Sequence, residues 1–400
     1  MKSPTILLIR IGGVYNYGCE AIVRGTEVII RREYPDAKIV YASYRVANDV
    51  QRLEGSNVEV VERSRSSRYS VKNICRKLLS LAGVRWFPMI ESLEILKGVD
   101  AVFSIGGDIY TLGPAGGYSM SFPKFGDVAE KRGIPYVLWG ASVGPFTANP
   151  QAERDYTRHL RGLSLITARE AGTVKYLESI GVCDNVVACA DPAYVVAPEI
   201  KASGSVRGDI FTIGVNLSPL SIRHTGFTEE EAVCAQARTI EGLIQSFDAR
   251  IVLIPHVVCD FAEGDDDLRY LRRIKQAIVP DYQGMVSLLE SDPGFVGTKK
   301  ELIKCDLVIA ARMHCAINAL AAHVPTLLVA YSQKAVGMCQ FVYGCGDWVL
   351  PLSEFSTEGL LESKVRAMKN QEVEIRNYLD KRVPEIRELA YRPMERLFKN

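Results

Sequence analysis

Short apolar, β-prone runs alternate with helical patterns along most of this chain, and this alternation constrains the fold more than any other feature. The runs predicted as strands are 5–11, 38–43, 58–62, 101–105, 135–141, 163–168, 186–190, 210–216, 250–255, 285–289, 307–311 and 326–331. Repeated strand–helix units build parallel sheets with helices on both faces. The sequence therefore predicts an α/β protein with two Rossmann-like, doubly wound domains that face each other across a cleft.

A shift in composition divides the chain at residues 197–208, where small and polar residues predominate and a linker is predicted. With 400 residues in all, each half is long enough to bury its own core. We predict a first domain over 1–196 and a second over 209–356. Apolar residues recur at helical spacing in 357–400, which predicts helices that pack onto the domains.

Charge and cysteine usage exclude several classes of protein. The net charge is +1, so the chain lacks the electrostatic footprint of a nucleic-acid binder. Ten cysteines are scattered without a C-x-x-C pair, and neither they nor the five histidines have the spacing of metal ligands. No apolar run has the length of a signal sequence or a membrane span. We expect a cytoplasmic protein with reduced thiols, no metal or other cofactor, and no nucleic-acid partner.

One predicted strand-to-helix turn carries the residues that most strongly indicate chemistry. Arg312, Met313 and His314 lie between the apolar run 307–311 and the Ala-rich run 315–322. Ligands of open α/β sheets gather at the carboxyl ends of strands, where a helix N-terminus adds positive potential. Arginine offers a charged fork for carboxylate or phosphate, and histidine titrates near neutral pH. The turn predicts acid chemistry on an anion; the alternative is a capping arginine beside a packed histidine.

Other predicted strand ends carry residues that suit a substrate pocket. They are Gly18 and Glu20, Gly106, Gly107 and Asp108, Ser142, Arg169, and His256. Structural roles are also open for them: turns for the glycines, a helix-dipole contact for Glu20, an ion pair for Arg169 and a satisfied core position for His256. The acidic run 265–267 predicts a solvated helix start rather than a metal site.

Taken in order, several short motifs resemble those of the polysaccharide pyruvyl transferase family. They are N-x-G-x-E-A from Asn16, GGD at 106–108, G-x-S-x-G-P-F at 140–146, ARE at 168–170, DPAY at 191–194, and R-x-H at 312–314 followed by Pro325, Tyr331 and Lys334. The ordered set is specific, whereas no single motif is. One position departs from the pattern, because Cys19 stands where the family's first turn usually has an aspartate.

The resemblance implies a GT-B-like fold and transfer of the enolpyruvyl group of phosphoenolpyruvate to two hydroxyls of a sugar. The product would be a pyruvate ketal on a polysaccharide or lipid-linked precursor, with release of phosphate. Donor binding would fall to Arg312 and Arg169, with Lys334 as a third cation. His314 would protonate the methylene carbon as the general acid. Two strand-end carboxylates remain open as the base: Asp108 and Glu20. Substrate contacts would come from Asn16, Gly18, Gly106, Gly107, Ser142, Met313 and His256.

Two other functions remain open at this point. A GT-B glycosyltransferase that uses a nucleotide sugar predicts the same architecture, so the fold does not separate it from a pyruvyl transferase. A non-catalytic sugar-binding or assembly component is the third possibility, and Cys19 in place of an acid keeps it open. Phosphoenolpyruvate and nucleotide binding distinguish the first two, and turnover distinguishes both from the third.

Residues 63–90 contain seven basic residues and no acid until Glu91. Within them, apolar residues recur at helical spacing over 71–82 and are followed by Trp86 and Phe87. A basic amphipathic helix that ends in aromatic residues is typical of segments lying on anionic membranes. The alternative is a helix whose apolar side packs on the first domain. Both interpretations stay open, and the family resemblance adds weight to peripheral contact with the inner face of the membrane, where lipid-linked saccharides would be presented.

Overall fold

The computed structural model of the protein describes residues 3–63, 71–81, 86–89, 91–197, 210–224, 226–262, 264–331 and 333–397. Two compact units are present. Unit 1 consists of 1–13, 22–191 and 389–400, and unit 2 consists of 14–21 and 192–388. The short segment 14–21, which the predicted boundaries assign to the first domain, therefore belongs to unit 2.

Unit 1 is built on a parallel sheet with seven strands among the described residues. In chain order they are β1 (Thr5–Ile9), β2 (Lys38–Ser43), β3 (Val58–Glu62), β4 (Ala101–Ile105), β5 (Tyr136–Ala141), β6 (Leu165–Ala168) and β7 (Val186–Ala188). Strands β4 and β5 are buried at every position because both of their faces are covered. The edge strand β3 instead exposes Glu59 and Glu62, charges that discourage pairing with another chain.

Helices follow the strands of unit 1 in alternation. They are α1 (Tyr17–Glu33), α2 (Val46–Arg52), α3 (Val71–Leu81), α4 (Pro123–Lys131), α5 (Pro150–Arg161) and α6 (Ala171–Ser179). Helix α5 begins with a side-chain cap: the Asn149 side chain accepts hydrogen bonds from two backbone N–H groups, and Pro150 occupies the first turn.

Unit 2 repeats this plan with six described strands, all parallel. They are β8 (Thr212–Asn216), β9 (Arg250–Leu253), β10 (Val286–Leu288), β11 (Leu307–Ala310), β12 (Thr326–Ala330) and β13 (Val349–Pro351). The helices are α7 (Glu229–Phe247), α8 (Asp267–Ala277), α9 (Gly294–Leu302), α10 (Met313–Ala321), α11 (Gln333–Tyr343), α12 (Leu360–Asn370) and α13 (Glu372–Tyr391). A last helix, α14 (Met394–Leu397), belongs to unit 1.

The strand order of each sheet contains one point at which the winding reverses. Unit 1 has the order β3-β2-β1-β4-β5-β6-β7, and unit 2 has the order β10-β9-β8-β11-β12-β13. The reversal falls between β1 and β4 in the first sheet and between β8 and β11 in the second. Ligands of doubly wound sheets bind at the carboxyl ends of the strands beside this switch point. A ligand site is therefore expected among the residues that follow β1, β4, β8 and β11.

The predicted α/β class with two doubly wound parallel sheets is confirmed. Each strand predicted from the sequence is present, and β13 is an additional short strand that the sequence pattern does not indicate. The predicted helices of the C-terminal segment are α12 and α13. The predicted linker 197–208 lies outside the described residues except for residue 197, and the cleft between the domains stays a prediction. Among the described residues, no helix is both long enough and apolar enough to cross a membrane.

Candidate functional site

The R-x-H turn lies at the switch point of unit 2, directly after β11. The backbone N–H of Arg312 donates to Asn216 Oδ1 at 2.8 Å, and Asn216 Nδ2 donates to the carbonyl of Ile254 at 2.9 Å. Asn216 is the last residue of β8, so one buried amide side chain ties together the ends of β8, β9 and β11. This arrangement holds Arg312 in an extended conformation as the N-cap residue of α10.

Two carboxylates of the α8 N-terminal region hold the Arg312 side chain. Its Nε lies 3.1 Å from both carboxylate oxygens of Asp267, and its Nη2 lies 2.8 Å from oxygens of Asp267 and of Asp265. Burial opposes the positive charge, but these carboxylates raise the pKa of Arg312 above its ordinary value. Among the described residues, none accepts a hydrogen bond from Nη1, which leaves that edge of the guanidinium available to a ligand.

Asp265 and Asp267 were not predicted as site residues. The acidic run does begin a helix, because Asp266 caps α8 by accepting from the N–H of Leu268. The prediction that the run is solvated is wrong for Asp267, which is fully buried and also accepts from the N–H groups of His256 and Val257. Burial raises the pKa of Asp267, while Arg312 opposes that shift. No local pattern links this acid to an arginine 45 residues later in the chain.

The imidazole of His314 packs against the backbone of Gly18. A Cβ atom built on Gly18 would lie 2.6 Å from His314 Cγ, which is closer than real side chains approach. His314 itself is partly exposed, on the first turn of α10. Glycine at position 18 is thus a steric requirement for this placement of the histidine, and the structure brings these two predicted residues together.

The turn before α1 is organised by Asn16. Its side-chain oxygen accepts from the N–H of Gly18 at 2.9 Å, and its carbonyl accepts from Cys19 and Glu20. The same segment joins the region after β9, because the N–H of Tyr17 donates to the carbonyl of His256 at 3.1 Å. These contacts fold 14–21 into unit 2 beside the R-x-H turn. They give Asn16 a structural role, and contact with substrate stays a prediction.

His256 is a buried histidine of this neighbourhood. Its ring packs edge-on against Tyr17 and Phe295, and among the described residues its Nε2 has no hydrogen-bond partner. Burial, reinforced by His314 and Arg312, holds its pKa well below the ordinary value, so the ring is neutral. This environment supports the structural alternative for His256 over a direct role in binding sugar.

Glu20 is also buried, with one carboxylate oxygen accepting from the N–H of Phe295 at 2.8 Å. Phe295 is in the first turn of α9, where N–H groups lack partners within the helix. Glu20 therefore satisfies a helix N-terminus, an arrangement that does not suit a base exchanging protons with substrate. Met313 and Lys334 are partly exposed in the first turns of α10 and α11.

The remaining predicted residues lie in unit 1, after β4, β5 and β6. Gly106 has a φ of +128°, a conformation that favours glycine, and Asp108 beside it is exposed. The N–H of Ser142 donates to the carbonyl of Gly107 at 2.8 Å, and its hydroxyl donates to Glu170 at 2.8 Å. The structure thus brings together Gly106, Gly107, Asp108, Ser142 and Arg169 at one end of this sheet.

Arg169 is held by acids of its own unit. It forms an ion pair with Asp191, and its Nε lies 3.9 Å from Glu170. Burial opposes its charge, but Asp191, Glu170 and Asp108 raise its pKa above the ordinary value. A Cβ at Gly107 would lie 2.5 Å from Arg169 Nη2, so the glycine makes room for the guanidinium. These contacts favour the ion-pair role for Arg169, and its role as a donor clamp stays a prediction.

Comparison with solved structures supports the fold. Anabaena HepE in complex with UDP and glucose is 12% identical with a TM-score of 0.60, and the match covers 100% of both chains. The UDP-GlcNAc 2-epimerase of Neisseria meningitidis bound to UDP-GlcNAc is 13% identical with a TM-score of 0.57 over 100% of both chains. The Methanocaldococcus jannaschii UDP-GlcNAc 2-epimerase is 13% identical with a TM-score of 0.52 over 92% of both. At these identities the likeness concerns the fold alone.

Sequence comparison is more specific. No curated protein matches the chain. The sequence model of one family, polysaccharide pyruvyl transferase, matches residues 16–333. The matched range begins at Asn16, contains both sets of strand-end residues described above and ends one residue before Lys334. The chain therefore belongs to the polysaccharide pyruvyl transferase family, and it is a transferase of polysaccharide biosynthesis.

Proposed function

We propose that the protein transfers the enolpyruvyl group of phosphoenolpyruvate to two hydroxyls of a saccharide, giving a cyclic pyruvate ketal and phosphate. The observation that carries this proposal is the R-x-H turn at the switch point of unit 2, inside the range matched by the family. There, a partly exposed histidine and one free edge of an arginine lie at the N-terminus of α10, which favours anions.

The reaction has a balanced sequence of bond changes. A proton adds to the terminal methylene of the donor, which becomes a methyl group and leaves positive charge at C2. The first sugar hydroxyl attacks C2 and loses its proton. The bond from C2 to the phosphate oxygen then breaks, and the second hydroxyl adds to C2 and loses its proton. One hydroxyl proton replaces the proton used at carbon, and the other leaves with phosphate.

In this scheme His314 donates the proton to carbon as general acid. Arg312 contacts the donor through its Nη1 edge, while Asp265 and Asp267 fix the orientation of the guanidinium. Lys334 and the first turn of α10 add positive potential for the phosphate. These groups supply the charge that a divalent ion would otherwise provide, so we propose that neither a metal nor an organic cofactor is required.

For the base, we propose Asp108 in preference to Glu20. Asp108 is exposed at the end of β4, whereas Glu20 is buried and engaged with the N–H of Phe295. A base must reach the proton of a sugar hydroxyl, directly or through one water. The exposure of Asp108 supports it over Glu20 for this role.

The decisive experiment measures phosphate release from phosphoenolpyruvate with a panel of lipid-linked and nucleotide-linked saccharides, in excess chelator. We expect release with at least one acceptor. His314→Gln should retain donor binding and lose about 10²–10⁴-fold in turnover, the range typical of a lost acid. Binding of a uridine nucleotide without phosphoenolpyruvate would favour glycosyl transfer. Binding of donor and saccharide without turnover would favour a non-catalytic component, and an absolute need for a divalent ion would contradict the metal-free scheme.

We also propose that unit 1 contacts an anionic membrane surface through α3. Ile74, Leu78 and Leu81 follow one another at helical spacing on one face, and they are 48%, 60% and 79% exposed. Trp86 is 36% exposed, and Lys77 is exposed beside this stripe. Exposed apolar residues flanked by basic ones suit the boundary between lipid headgroups and acyl chains. Such contact would bring the enzyme to lipid-linked saccharides.

A further inference from the structure

Arg10 is a cation at the switch point of unit 1 that the family motifs do not include. It follows the last residue of β1, and Ile9 pairs in register with Ser104 of β4. Just beyond the two strands, a Cβ built on Gly106 would lie 3.1 Å from Ile11 Cγ2, so the segments that follow β1 and β4 are in direct contact. Arg10 therefore occupies the position in unit 1 where a doubly wound sheet binds its ligand.

The guanidinium of Arg10 lacks the partners that a buried arginine normally has. Its Nε and Nη1 are buried, and within the described part of the chain neither has a hydrogen-bond acceptor. Its Cζ lies 3.5 Å from the ring centroid of Phe122, so one face of the group is covered by the ring. Unsatisfied buried donors are uncommon in native proteins, because each loses its hydration without compensation. The residue as a whole is partly exposed.

Within the described ranges, the charges next to Arg10 do not balance it. The nearby Glu91 is committed to Arg63, which binds it through Nε at 3.0 Å and Nη2 at 2.5 Å. Arg63 also lies over the ring of Phe122, at 5.5 Å, so two guanidinium groups share one aromatic side chain. Burial lowers the pKa of Arg10 and the charge of Arg63 lowers it further, against the opposing effects of Tyr136, Tyr110 and Glu91. The cluster of Arg10, Arg63 and Glu91 thus carries one uncompensated positive charge.

The backbone of Arg10 is strained as well. Its φ is +100°, in a region that residues with a side chain seldom occupy. Such conformations persist where the surrounding structure enforces them, and they cluster at functional sites. A strained backbone, two unsatisfied donors and an uncompensated charge thus coincide in one residue at a ligand-binding edge.

We propose that Arg10 binds an oxyanion, a phosphoryl or carboxylate group carried by the saccharide acceptor, at the β1–β4 edge of unit 1. The two unsatisfied donors, Nε and Nη1, lie on different edges of the guanidinium, and each of these edges is shared with Nη2. An oxyanion would accept from Nη2 together with one of the two, and stacking on Phe122 fixes the plane of the group. This inference rests on the proposed function only for the identity of the molecule that carries the oxyanion. It adds an acceptor determinant that the phosphate of a lipid-linked or nucleotide-linked sugar would satisfy.

The test measures equilibrium binding to the full chain, without turnover. Probes are the 1-phosphates of glucose, galactose and mannose, the corresponding free sugars, and galacturonate as a carboxylate-bearing sugar. We expect a sugar phosphate or galacturonate to bind wild type more tightly than its neutral counterpart does. Arg10→Met should lose about tenfold or more of that affinity and Arg10→Lys part of it, because lysine keeps the charge without the fork. Phosphoenolpyruvate affinity should be unchanged in both variants.

The remaining outcomes separate this inference from the proposed function. Equal binding of the charged sugars to wild type and to Arg10→Met would overturn it and leave Arg10 as a cation hydrated by water alone. A parallel loss of phosphoenolpyruvate affinity would overturn it by assigning the oxyanion to the donor. If wild type binds charged sugars through Arg10 but does not bind phosphoenolpyruvate, the proposed function fails and the inference stands. Should Arg10→Met not fold, Arg10→Lys and Phe122→Leu provide the same comparison.

Discussion

At the scale of single residues, the position of the His314 imidazole depends on the absence of a side chain at residue 18. A Cβ on residue 18 would overlap the His314 ring. This Cβ is fixed to the backbone at the start of α1, so it cannot move aside. The ring would have to rotate or shift, and a general acid displaced from the reacting carbon loses most of its effect. Gly18 thus links the first motif of the chain to a motif near its end.

We predict that Gly18→Ala leaves the protein folded and lowers kcat by about 10²-fold or more, because His314, the proposed acid, would be misplaced. The measurements are phosphate release under saturating substrates and thermal unfolding. Gly12→Ala is the matched control, since a Cβ on Gly12 meets no atom within 4 Å. Equal activity of the two variants would mean that the packing of His314 on residue 18 is not needed for catalysis.

His256 gives a second prediction at this scale, on acid stability. Its folded pKa is held well below 6.5 by burial and by His314 and Arg312, so below that pH the unfolded chain binds a proton that the folded ring does not. The contribution of His256 to the free energy of unfolding is therefore fully present above pH 6.5 and is lost as the pH falls below that value. We expect a loss of up to about 2 kcal/mol in the free energy of unfolding between pH 7 and pH 5.

Comparison of wild type with His256→Gln by urea unfolding at both pH values isolates this contribution, because the other titrating groups are common to the two proteins. The variant should be less stable at pH 7 and show a shallower dependence on pH. An equally steep dependence in the variant would show that the ring of His256 is not the group responsible.

At the scale of elements, α9 and α10 share one feature: at the start of each helix, a side chain from another segment accepts a hydrogen bond from a backbone N–H. Asn216 accepts from the N–H of Arg312, and Glu20 accepts from the N–H of Phe295. The two contacts fix the helix starts relative to β8 and to the segment 14–21, which carries Gly18. Glu20 therefore supports the site through the backbone of α9, and a role of this kind is separable from that of a base.

We predict that Glu20→Gln keeps both fold and activity, because the amide oxygen still accepts from Phe295. Glu20→Ala should lower the free energy of unfolding by about 1–3 kcal/mol, since a buried N–H loses its acceptor. Chemical denaturation and phosphate release are the measurements, with the exposed Glu54→Ala as control. A stable Glu20→Gln protein without turnover would assign Glu20 as the base and contradict the choice of Asp108.

At the scale of the whole molecule, both sheets are predictable from the sequence because each strand–helix unit has a local apolar pattern. The R-x-H turn is predictable too, since strand ends are recognised from adjacent residues. The pairing of Arg312 with Asp265 and Asp267 is not, because it joins segments that only the tertiary fold brings together. The membership of 14–21 in unit 2 escapes prediction for the same reason. Strand β13 is only three residues long and ends in proline, so it leaves no pattern to detect.

The last prediction concerns how the whole protein meets a membrane. The exposed stripe of α3 should enter the headgroup region, with each nearby basic residue adding on the order of 1 kcal/mol on an anionic surface. We expect the protein to sediment with vesicles of phosphatidylcholine and phosphatidylserine at low salt, and less at high salt because charges are screened. Replacing Leu78 and Leu81 together by Glu should abolish sedimentation. A charge-reduced variant with Gln at five positions should weaken it: Arg65, Arg68, Lys72, Arg76 and Lys77.

The matched control is Val373→Glu, which changes an apolar residue that is 72% exposed on α13 and belongs to unit 2. It should sediment as wild type does, because Val373 lies on α13 and the proposed membrane contact is on α3. All variants should keep phosphate release with a water-soluble acceptor, since α3 carries none of the site residues. If wild type does not sediment with anionic vesicles at low salt, or the α3 variants sediment as well as the control, the stripe is ordinary protein surface and the enzyme reaches its acceptor from solution.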